Sequence, residues 1–347
     1  MLAFRTILLS CWLFWRVLFR RLFKGALHSG WSFRFEWVSA ILRTTVKRAV
    51  HTTPAVLRRL TPAAPVRPGL ARQVSNQEGL WGHLPCLWVT PEGWTQEDGT
   101  MLYLHGGGYI VCSYASHREL ITRLAVTTGW RLLAVDYRLA PEHPFPAAID
   151  DAYGAYLALL QSDIPAEKLA VAGDSAGGGL SLALLTRLRD TGLPLPSRAL
   201  LLSPWVDLTV STESVVLFEK QCYLSADVLR CYARHYCGGE NPAHPLISPI
   251  EASLAGLPPI TVVVGEVETL RDESRLLVQR AREAGVWIQA YEAPGLTHVW
   301  PAFAGFAPDC RIAFEVISDL WNRMDVAVDG QRQDVEVQAP DVISQSS

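Results

Sequence analysis

The most informative segment of the sequence is Leu169-Ala170-Val171-Ala172-Gly173-Asp174-Ser175-Ala176-Gly177-Gly178-Gly179. Its first four residues form a continuous apolar run, which is typical of a strand buried on both faces of a parallel sheet. A G-x-S-x-G follows directly, and a helical period begins after the serine. A serine on such a strand-to-helix turn is held in a strained conformation, and glycines two residues away on each side keep neighbouring backbones apart. We therefore predict that Ser175 is a nucleophile exposed at the N-terminus of a helix.

Apolar runs and helical periods alternate on both sides of this turn. The predicted strands are Leu84–Val89, Met101–Leu104, Arg131–Asp136, Leu169–Ala172, Ala199–Leu202, Ile260–Val264 and Val286–Tyr291. The predicted helices are His117–Thr127, Pro146–Leu160, Ala176–Arg189, Glu273–Ala284 and Arg311–Trp321. Strand, helix and strand in this order imply an α/β fold with a mostly parallel, doubly wound sheet. Residues 205–250 interrupt the alternation with helical sequence rich in aromatic residues, Cys and Pro, and we interpret them as an insertion over the C-terminal edge of the sheet.

The composition excludes several classes of protein. Of 347 residues, 49% are apolar and 19% are charged, below the roughly 25% charged residues of typical soluble domains, which indicates a large buried core. Collagen-like, disulfide-scaffold and polytopic membrane proteins do not fit. The seven cysteines show no C-x-x-C and no pairing with His at zinc spacing, so we expect no metal site and a reducing, cytoplasmic compartment.

The charge is divided unevenly along the chain. Residues 1–72 contain 13 Lys or Arg and one acid, Glu36, for a net +12, whereas the remainder has 18 Lys or Arg against 33 acids, for −15. Leu2 to Phe23 is rich in Leu, Phe and Trp. At about 100° per residue, its basic stripe consists of Arg5, Arg16, Arg20 and Lys24.

Two interpretations of this N-terminal stretch stay open. The apolar run of residues 7–15 is too short for the roughly 20 residues of a membrane span, and no small-residue cleavage site follows it. An interfacial helix would give peripheral contact of residues 1–24 with anionic lipid. A cap helix packed on the protein's own core fits Leu9, Leu13 and Val17, which interrupt the basic face. Nucleic-acid binding is not expected, because the interleaved aliphatic side chains would have to stay exposed.

A second glycine-rich motif, His105-Gly106-Gly107-Gly108-Tyr109, follows the strand Met101–Leu104. Three consecutive glycines let the backbone approach a ligand and turn N–H groups inward, as an oxyanion hole requires. The Lys and Ser or Thr of a phosphate-binding P-loop are missing. Because His105 precedes the serine in the chain, we expect it to be a structural residue rather than a base.

Chain order selects the general base. In α/β-hydrolases the serine is followed by the acid and then by the histidine. Of the histidines after Ser175, His235 and His244 fall in the predicted insertion. His298 follows the strand Val286–Tyr291 and is therefore the predicted base.

The acid must follow the strand Ile260–Val264, where the chain offers four carboxylates. Asp272 and Glu273 begin a helix, where carboxylates commonly serve only the cap and the dipole. Glu266 and Glu268, both in the loop, remain as candidates for the acid that orients the imidazole.

The motifs together resemble those of the hormone-sensitive-lipase family of α/β-hydrolase carboxylesterases. The matching segments are His105-Gly106-Gly107-Gly108, Tyr137-Arg138-Leu139-Ala140-Pro141-Glu142, Gly173-Asp174-Ser175-Ala176-Gly177-Gly178 and Leu270-Arg271-Asp272-Glu273, within about residues 80 to 325. Family members usually carry Asp-Pro-Leu where this chain has Glu268-Thr269-Leu270. The resemblance therefore implies Glu268 as the acid, with Glu266 in reserve. It also implies that Gly107, Gly108 and Ala176 donate the oxyanion-hole N–H groups.

The same resemblance implies an α/β-hydrolase fold with a helical cap. Residues 73–325 would form the core with its insertion at about 205–250, residues 1–72 would form part of the cap, and residues 326–347, polar and weakly patterned, are expected to be a disordered tail. Homodimers are frequent among family members, although no interface is evident in the sequence.

We predict a serine ester hydrolase acting on small or medium apolar esters or lactones, without metal or organic cofactor. Two alternatives stay open, an amide hydrolase and a non-catalytic small-molecule binding protein on a hydrolase scaffold. Plant gibberellin receptors of the second kind resemble this family but lack the catalytic histidine, whereas this chain keeps His298. Tyr109 and Trp205 either line the substrate pocket or fill the core, and Phe218 and Trp300 share this ambiguity.

Overall fold

The computed structural model describes residues 2–328, with side chains described for residues 8–324 except residue 49. Its centre is an eight-stranded sheet in the order β1-β2-β4-β3-β5-β6-β7-β8. The strands are β1 (Val74–Trp81), β2 (Leu84–Pro91), β3 (Thr100–Leu104), β4 (Arg131–Val135), β5 (Leu169–Asp174), β6 (Arg198–Leu202), β7 (Ile260–Gly265) and β8 (Ile288–Ala293). β2 is antiparallel to both of its neighbours, and all other neighbouring strands are parallel. The predicted α/β fold class is confirmed.

β1 is the strand that the sequence analysis missed. Its interior residues are exposed, because it lies at the edge of the sheet and pairs only with β2, from Val74 opposite Pro91 to Trp81 opposite Leu84. A solvated edge strand of polar residues lacks the apolar run from which strands are predicted. The hairpin turns at Gly82, whose φ is 62°. The last strand also differs slightly from the prediction, since it begins at Ile288 rather than Val286.

Helices cover both faces of the sheet. They are α1 (Leu2–Lys24), α2 (Phe33–Lys47), α3 (Pro54–Leu60), α4 (Pro68–Ala71), α5 (Arg118–Thr128), α6 (Ala147–Gln161), α7 (Ala176–Asp190), α8 (Ser214–Leu217), α9 (Ala226–Cys237), α10 (Arg271–Glu283) and α11 (Ala313–Val328). Apolar residues of α6, α7 and α10 join the core on one face, and those of α5 and α11 join the core on the other. The result is a three-layer molecule in which the central strands are buried from both sides.

The parallel register gathers six loops at one edge of the sheet. Leu104 of β3 lies opposite Val135 of β4 and Gly173 of β5, and the strands β6, β7 and β8 continue in parallel with near-level ends. The segments that follow these strands therefore meet at the carboxyl edge, which is where α/β folds place their ligands.

The insertion and the N-terminal helices also reach this edge. Residues 205–250 contain α8 and α9, and the ring of Tyr232 on α9 lies where a side chain at Gly108 would have to fit. From α3, Arg58 donates hydrogen bonds to the carbonyl oxygens of Ile110 and Ala140, at 2.8 and 2.6 Å. Both segments therefore contact the glycine-rich loop or the chain directly beside it.

The first helix packs on α2 with one face. Leu13 and Val17, two of the residues that interrupt the basic stripe, are buried with Ala40 of α2. Trp37 Nε1 donates a hydrogen bond to the carbonyl oxygen of Ser10 at 3.0 Å. Along this face α1 packs on α2, in a small apolar cluster separate from the two core clusters on the sheet.

In the part of the chain that the structure describes, no helix combines the length and apolar character needed to cross a membrane. The last helix, α11, continues past the predicted end at Trp321 to Val328. Residues 329–347, most of the predicted disordered tail, lie outside the described residues.

Candidate active site

Ser175 occupies a sharp turn between β5 and α7. Its φ of 53° and ψ of −122° are sterically costly for a residue with a side chain, and such strain is typical of a nucleophile elbow. A Cβ on Gly173 would lie 2.3 Å from the carbonyl oxygen of Gly177, and one on Gly177 would lie 1.9 Å from that of Leu104. Only glycine fits at both positions, so the G-x-S-x-G motif is a steric requirement of this turn.

The imidazole of His298 lies over the serine. Its Nε2 is 2.9 Å from Ser175 Oγ, within the range of a hydrogen bond between a nucleophile and its base. The histidine is only 2% exposed. The next residue, Val299, has a positive φ of 46° and donates its N–H to Ser203 Oγ at 3.0 Å. This bond fixes the loop that carries the imidazole.

Glu268 is the carboxylate that contacts the histidine. Its Oε1 lies 3.1 Å from His298 Nδ1. Its Oε2 accepts hydrogen bonds from the hydroxyl of Ser203 and the N–H of Gly265, both at 2.8 Å. Although its side chain is fully buried, its two oxygens have three hydrogen-bonding partners, which is the condition under which a buried carboxylate is tolerated.

The other three carboxylates considered for the acid have different partners. Glu266 Oε2 accepts the N–H of Gly295 at 2.7 Å, and the carboxylate that pairs with the imidazole is that of Glu268. Asp272 and Glu273, expected to serve their own helix, instead accept backbone N–H groups of Ser214 and Val206, both at 2.8 Å. They therefore tie α10 to the inserted segment, and burial raises the pKa of Glu273 well above its usual value.

The glycine-rich loop lies beside the elbow. Gly107 and Gly108 have φ values of 115° and 63°. A Cβ on Gly107 would lie 2.2 Å from the carbonyl oxygen of Val111, and one on Gly108 would lie 2.1 Å from the ring of Tyr232. No side chain larger than that of glycine fits at these two positions, so the loop packs its backbone directly against Val111 and Tyr232. Ala176 N, at the first position of α7, belongs to the helix turn whose N–H groups have no intrahelical acceptor.

Asp174, the residue before Ser175, holds this loop. Asp174 Oδ1 accepts the N–H of Gly106 at 2.9 Å and the hydroxyl of Tyr103 at 2.6 Å, and its Oδ2 lies 3.3 Å from His117 Nε2. Burial alone would raise the pKa of Asp174, but His117 and the other donors lower it to about 2. Burial likewise opposes protonation of His117, yet the adjacent carboxylate raises its pKa above the usual value.

His105 has a structural environment. Its Nδ1 bonds the carbonyl oxygen of Gly106 at 2.7 Å, and its ring stacks on Tyr137 with centroids 4.4 Å apart. Burial, together with the nearby His117, lowers its pKa to about 4. It therefore stays neutral near pH 7, and it does not contact the serine.

Tyr109 and Trp205, the two pocket candidates, are each 1% exposed. Tyr109 stacks on Tyr236 with ring centroids 3.7 Å apart, and Trp205 Nε1 donates to the carbonyl oxygen of Asp207. These side chains support the wall of the site and offer almost no surface to a ligand in this structure. Phe218 is partly buried beneath the guanidinium of Arg271, and Trp300 is fully buried.

Three residues of the site were missed by sequence reasoning. They are Ser203, which hydrogen-bonds both Glu268 and the loop that carries His298; Tyr103, which donates a hydrogen bond to Asp174; and Tyr223, whose ring centroid lies 5.5 Å from that of His298. Ser203 directly follows β6 at the carboxyl edge, and that position was the available signal. No comparable signal marks Tyr223, which lies in the insertion. Within the described residues, no group of three or more His, Cys, Asp or Glu side chains is arranged to hold a metal ion.

Comparison with known proteins places these features in a family. The profile of the alpha/beta hydrolase fold matches residues 101–302. An acetyl-hydrolase of Streptomyces hygroscopicus is 43% identical over 237 residues, covering 68% of this chain and 78% of that protein. An esterase of Acinetobacter venetianus is 32% identical over 312 residues, covering 86% of this chain and 99% of that protein. The crystal structure of an esterase from the bacterial hormone-sensitive lipase family superposes with a TM-score of 0.78 at 35% identity, covering 84% of this chain and 98% of that one.

Proposed function

Because this chain belongs to the alpha/beta hydrolase fold family, in its hormone-sensitive-lipase branch of esterases, we propose that it hydrolyses carboxylic esters with Ser175 as nucleophile, His298 as base and Glu268 as orienting acid. The observation that carries the proposal is the continuous chain of contacts from Ser175 Oγ to His298 Nε2 and from His298 Nδ1 to Glu268 Oε1. A packed or surface histidine would not be held between a strained serine and a buried carboxylate.

The reaction follows from these contacts. His298 Nε2 accepts the Oγ proton as Oγ attacks the ester carbonyl, and the imidazolium that forms is stabilised by the buried Glu268. The N–H groups of Gly107, Gly108 and Ala176 stabilise the tetrahedral oxyanion. His298 then returns the proton to the leaving alcohol, which leaves an acyl ester on the serine. Water, deprotonated by the same imidazole, hydrolyses this ester and restores the free hydroxyl.

The substrates that we propose are small or medium apolar esters or lactones. Ser175 is 8% exposed, so its environment favours a compact acyl group over a bulky one. Relatives of this chain carry the names acetyl-hydrolase and ethyl acetate hydrolase, which supports a short acyl chain. Retention of His298 within hydrogen-bond distance of the serine argues against the alternative of a non-catalytic binding protein.

We also propose that the protein works in the cytoplasm. All seven cysteines are free thiols, five of them buried, which suits a reducing compartment. Cell fractionation checks this part of the proposal, and recovery of the protein from the periplasm or the medium would contradict it.

A series of p-nitrophenyl esters from acetate to palmitate tests the proposed reaction. We expect the highest kcat/KM for acetate or butyrate and a loss to the uncatalysed background in Ser175→Ala. A fluorophosphonate probe should label the wild type at Ser175, as peptide mass spectrometry would show. Unchanged turnover in Ser175→Ala would disprove the nucleophile. Absence of turnover on every ester, together with retained binding of ester ligands, would favour the binding protein, and turnover of p-nitroanilides alone would favour the amide hydrolase.

A further inference from the structure

The helix α1 has a second apolar face, which points away from α2. Its side chains recur at intervals of four and three residues and are each more than half exposed: Leu8, Trp12, Trp15, Phe19 and Leu22. At about 100° per residue these positions form one stripe opposite the buried Leu13 and Val17. Phe23, 81% exposed, extends the stripe at its end. An exposed apolar surface of this kind usually marks an interaction site.

A basic cleft borders α1 on the side of the buried Leu13 and Val17, and it reaches the stripe at Arg16. It has a volume of about 830 Å³ and lies between α1, α2 and the segment Glu219–Lys220. Leu13, Val17, Leu27 and Ala40 provide its apolar lining, and its cations are Arg16, Arg20, Arg43, Lys47, Arg48 and Lys220. Its two carboxylates, Glu36 and Glu219, pair with Arg20 and Lys47. The other cations are left without a carboxylate from the cleft itself.

Arg43 shows most clearly that the cleft has more cations than carboxylates. Among the residues whose side chains the structure describes, it forms no hydrogen bond or ion pair. Its partial burial lowers its pKa most, the neighbouring Arg16 and Arg20 lower it further, and attraction from Cys222 and Glu36 offsets only part of the decrease. Crowding of like charges that is only partly offset is relieved by an anion bound between them. An apolar lining beside these cations suits an anion that carries an apolar chain.

The stripe and the cleft meet at Arg16. This residue lines the cleft, and its guanidinium lies 5.2 Å from the centre of the Trp12 ring. An apolar stripe rich in Trp and Phe, bordered by cations, is the pattern of a helix that lies in the plane of a membrane interface. We propose that α1 docks on an anionic lipid bilayer, with Trp12, Trp15 and Phe19 among the lipid chains and the cleft cations on the lipid phosphates.

The charge of this region favours a bilayer over a second copy of the chain. The heptad-like spacing of the stripe could also pair two α1 helices, but pairing would bring together two segments that each carry +12 over residues 1–72. On an anionic surface the same charges are attractive, by about 1 kcal/mol for each Lys or Arg near the lipid. This inference does not rest on the proposed ester hydrolysis, since docking needs no reaction.

Vesicle flotation tests the docking. The full chain carrying Ser175→Ala is mixed with vesicles of phosphatidylcholine alone or with an equal part of phosphatidylglycerol. We expect strong binding to the anionic vesicles, weak binding to the neutral ones, and release by salt. Trp12→Ser with Phe19→Ser should weaken anionic binding by about 30-fold, from the apolar area withdrawn from lipid. Arg43→Gln with Lys220→Gln should weaken it by a similar factor, about fivefold for each cation.

Matched variants control for general changes of surface. Leu80→Ser removes an exposed leucine from β1, and Arg59→Gln with Arg72→Gln removes two exposed cations outside the cleft. These variants should bind within about threefold of the parent. All variants should keep the parent's circular dichroism spectrum.

Three results would overturn the proposal. One is equal binding of the parent to neutral and anionic vesicles, or to neither. Another is binding of inorganic phosphate by calorimetry without vesicle binding, which would limit the cleft to free anions. The third is a concentration-dependent dimer in sedimentation that Trp12→Ser with Phe19→Ser abolishes while vesicle binding persists, which would assign the stripe to a second copy.

Discussion

Exchange of the buried acid for its amide, Glu268→Gln, is the sharpest test of the proposed triad. The two oxygens of Glu268 face different donors, His298 Nδ1 on one side and the Ser203 hydroxyl and Gly265 N–H on the other. Glutamine offers one oxygen and one NH₂ group. If the NH₂ faces Gly265, two N–H donors oppose each other. If it faces His298, Nδ1 must accept, so the imidazole proton moves to Nε2, where the base needs a lone pair.

The expected loss follows from the second arrangement. An imidazole held in the wrong tautomer cannot accept the serine proton, and a change of this type costs about 10,000-fold in kcat, or about 5 kcal/mol of activation free energy. KM should change little, because Glu268 is fully buried. Glu266→Gln is the matched control. Its amide oxygen can still accept from Gly295 N, so we expect a loss of less than about fivefold.

The test measures kcat and KM of both variants on p-nitrophenyl butyrate, and near-ultraviolet circular dichroism checks that both variants are folded. A folded Glu268→Gln enzyme that retains kcat within tenfold of the wild type would refute the tautomer reasoning. If Glu266→Gln lost more activity than Glu268→Gln, the acid would be assigned to the wrong residue.

Three further substitutions probe the neighbouring contacts. Gly108→Ala should lower kcat by about 100- to 1,000-fold, because the new methyl group would collide with the Tyr232 ring and displace the proposed oxyanion donor. Addition of Tyr232→Ala should recover part of the rate in the same ester assay, and no recovery would contradict the steric cause. Ser203→Ala removes a charge-assisted hydrogen bond to the triad acid and should lower kcat by about 10- to 100-fold with KM unchanged; a change confined to KM would contradict this role. His117→Gln should lower the melting temperature most between about pH 4 and 6.5. Because the pKa of His117 is raised in the folded protein, its contribution to the free energy of unfolding is complete below pH 6.5 and is lost as the pH rises through the folded-state pKa. The pKa of Asp174 is lowered from 3.8 to about 2, so this group adds about 2 kcal/mol of stability that is lost as the pH falls below about 4. A pH-independent difference in melting temperature would count against the ion pair.

The sheet could be predicted from sequence because its strands are buried on both faces. Leu169–Ala172 and Ile260–Val264 are continuous apolar runs, and β5 and β7 contain them. The edge strand β1 escaped prediction because an exposed strand of polar residues resembles a loop. The motif around Ser175 predicted the strained turn, since local sterics alone exclude side chains at Gly173 and Gly177.

Local sequence could not separate Glu266 from Glu268, because both follow β7 in the same loop. The pairing of β7 with β8 brings Glu266 to Gly295 N, and Glu268 turns toward His298. That difference depends on β8, a strand 20 or more residues away in the chain. Before the structure, only the resemblance to a family could therefore favour Glu268 over Glu266. Ser203 was missed for a similar reason, since its partners come from two other loops.

The helix α1 gave an ambiguous pattern because it has two apolar faces. Leu13 and Val17 appeared to spoil its amphipathic character, yet they are the residues that pack on α2. The opposite face, with Trp12 and Phe19, stays exposed. When apolar residues lie on two opposite faces, their contributions to the amphipathic pattern cancel, and neither face stands out in the sequence. Packing on the protein and contact with lipid are therefore compatible rather than competing interpretations.

One residue joins the turn that carries Ser175 to the glycine-rich loop. Asp174 directly precedes Ser175, and its carboxylate accepts the N–H of Gly106, at the start of the glycine-rich loop. Because the same carboxylate binds Tyr103 and His117, the loop is anchored in the core rather than by its own flexible backbone. The glycines allow the backbone angles that this loop needs. In the folded chain, the hydrogen bond to Asp174 holds the loop in one conformation. In the proposed reaction, preorganised donors need no rearrangement when charge develops on the oxyanion, so we expect a substitution at position 174 to disturb both Ser175 and the proposed oxyanion donors.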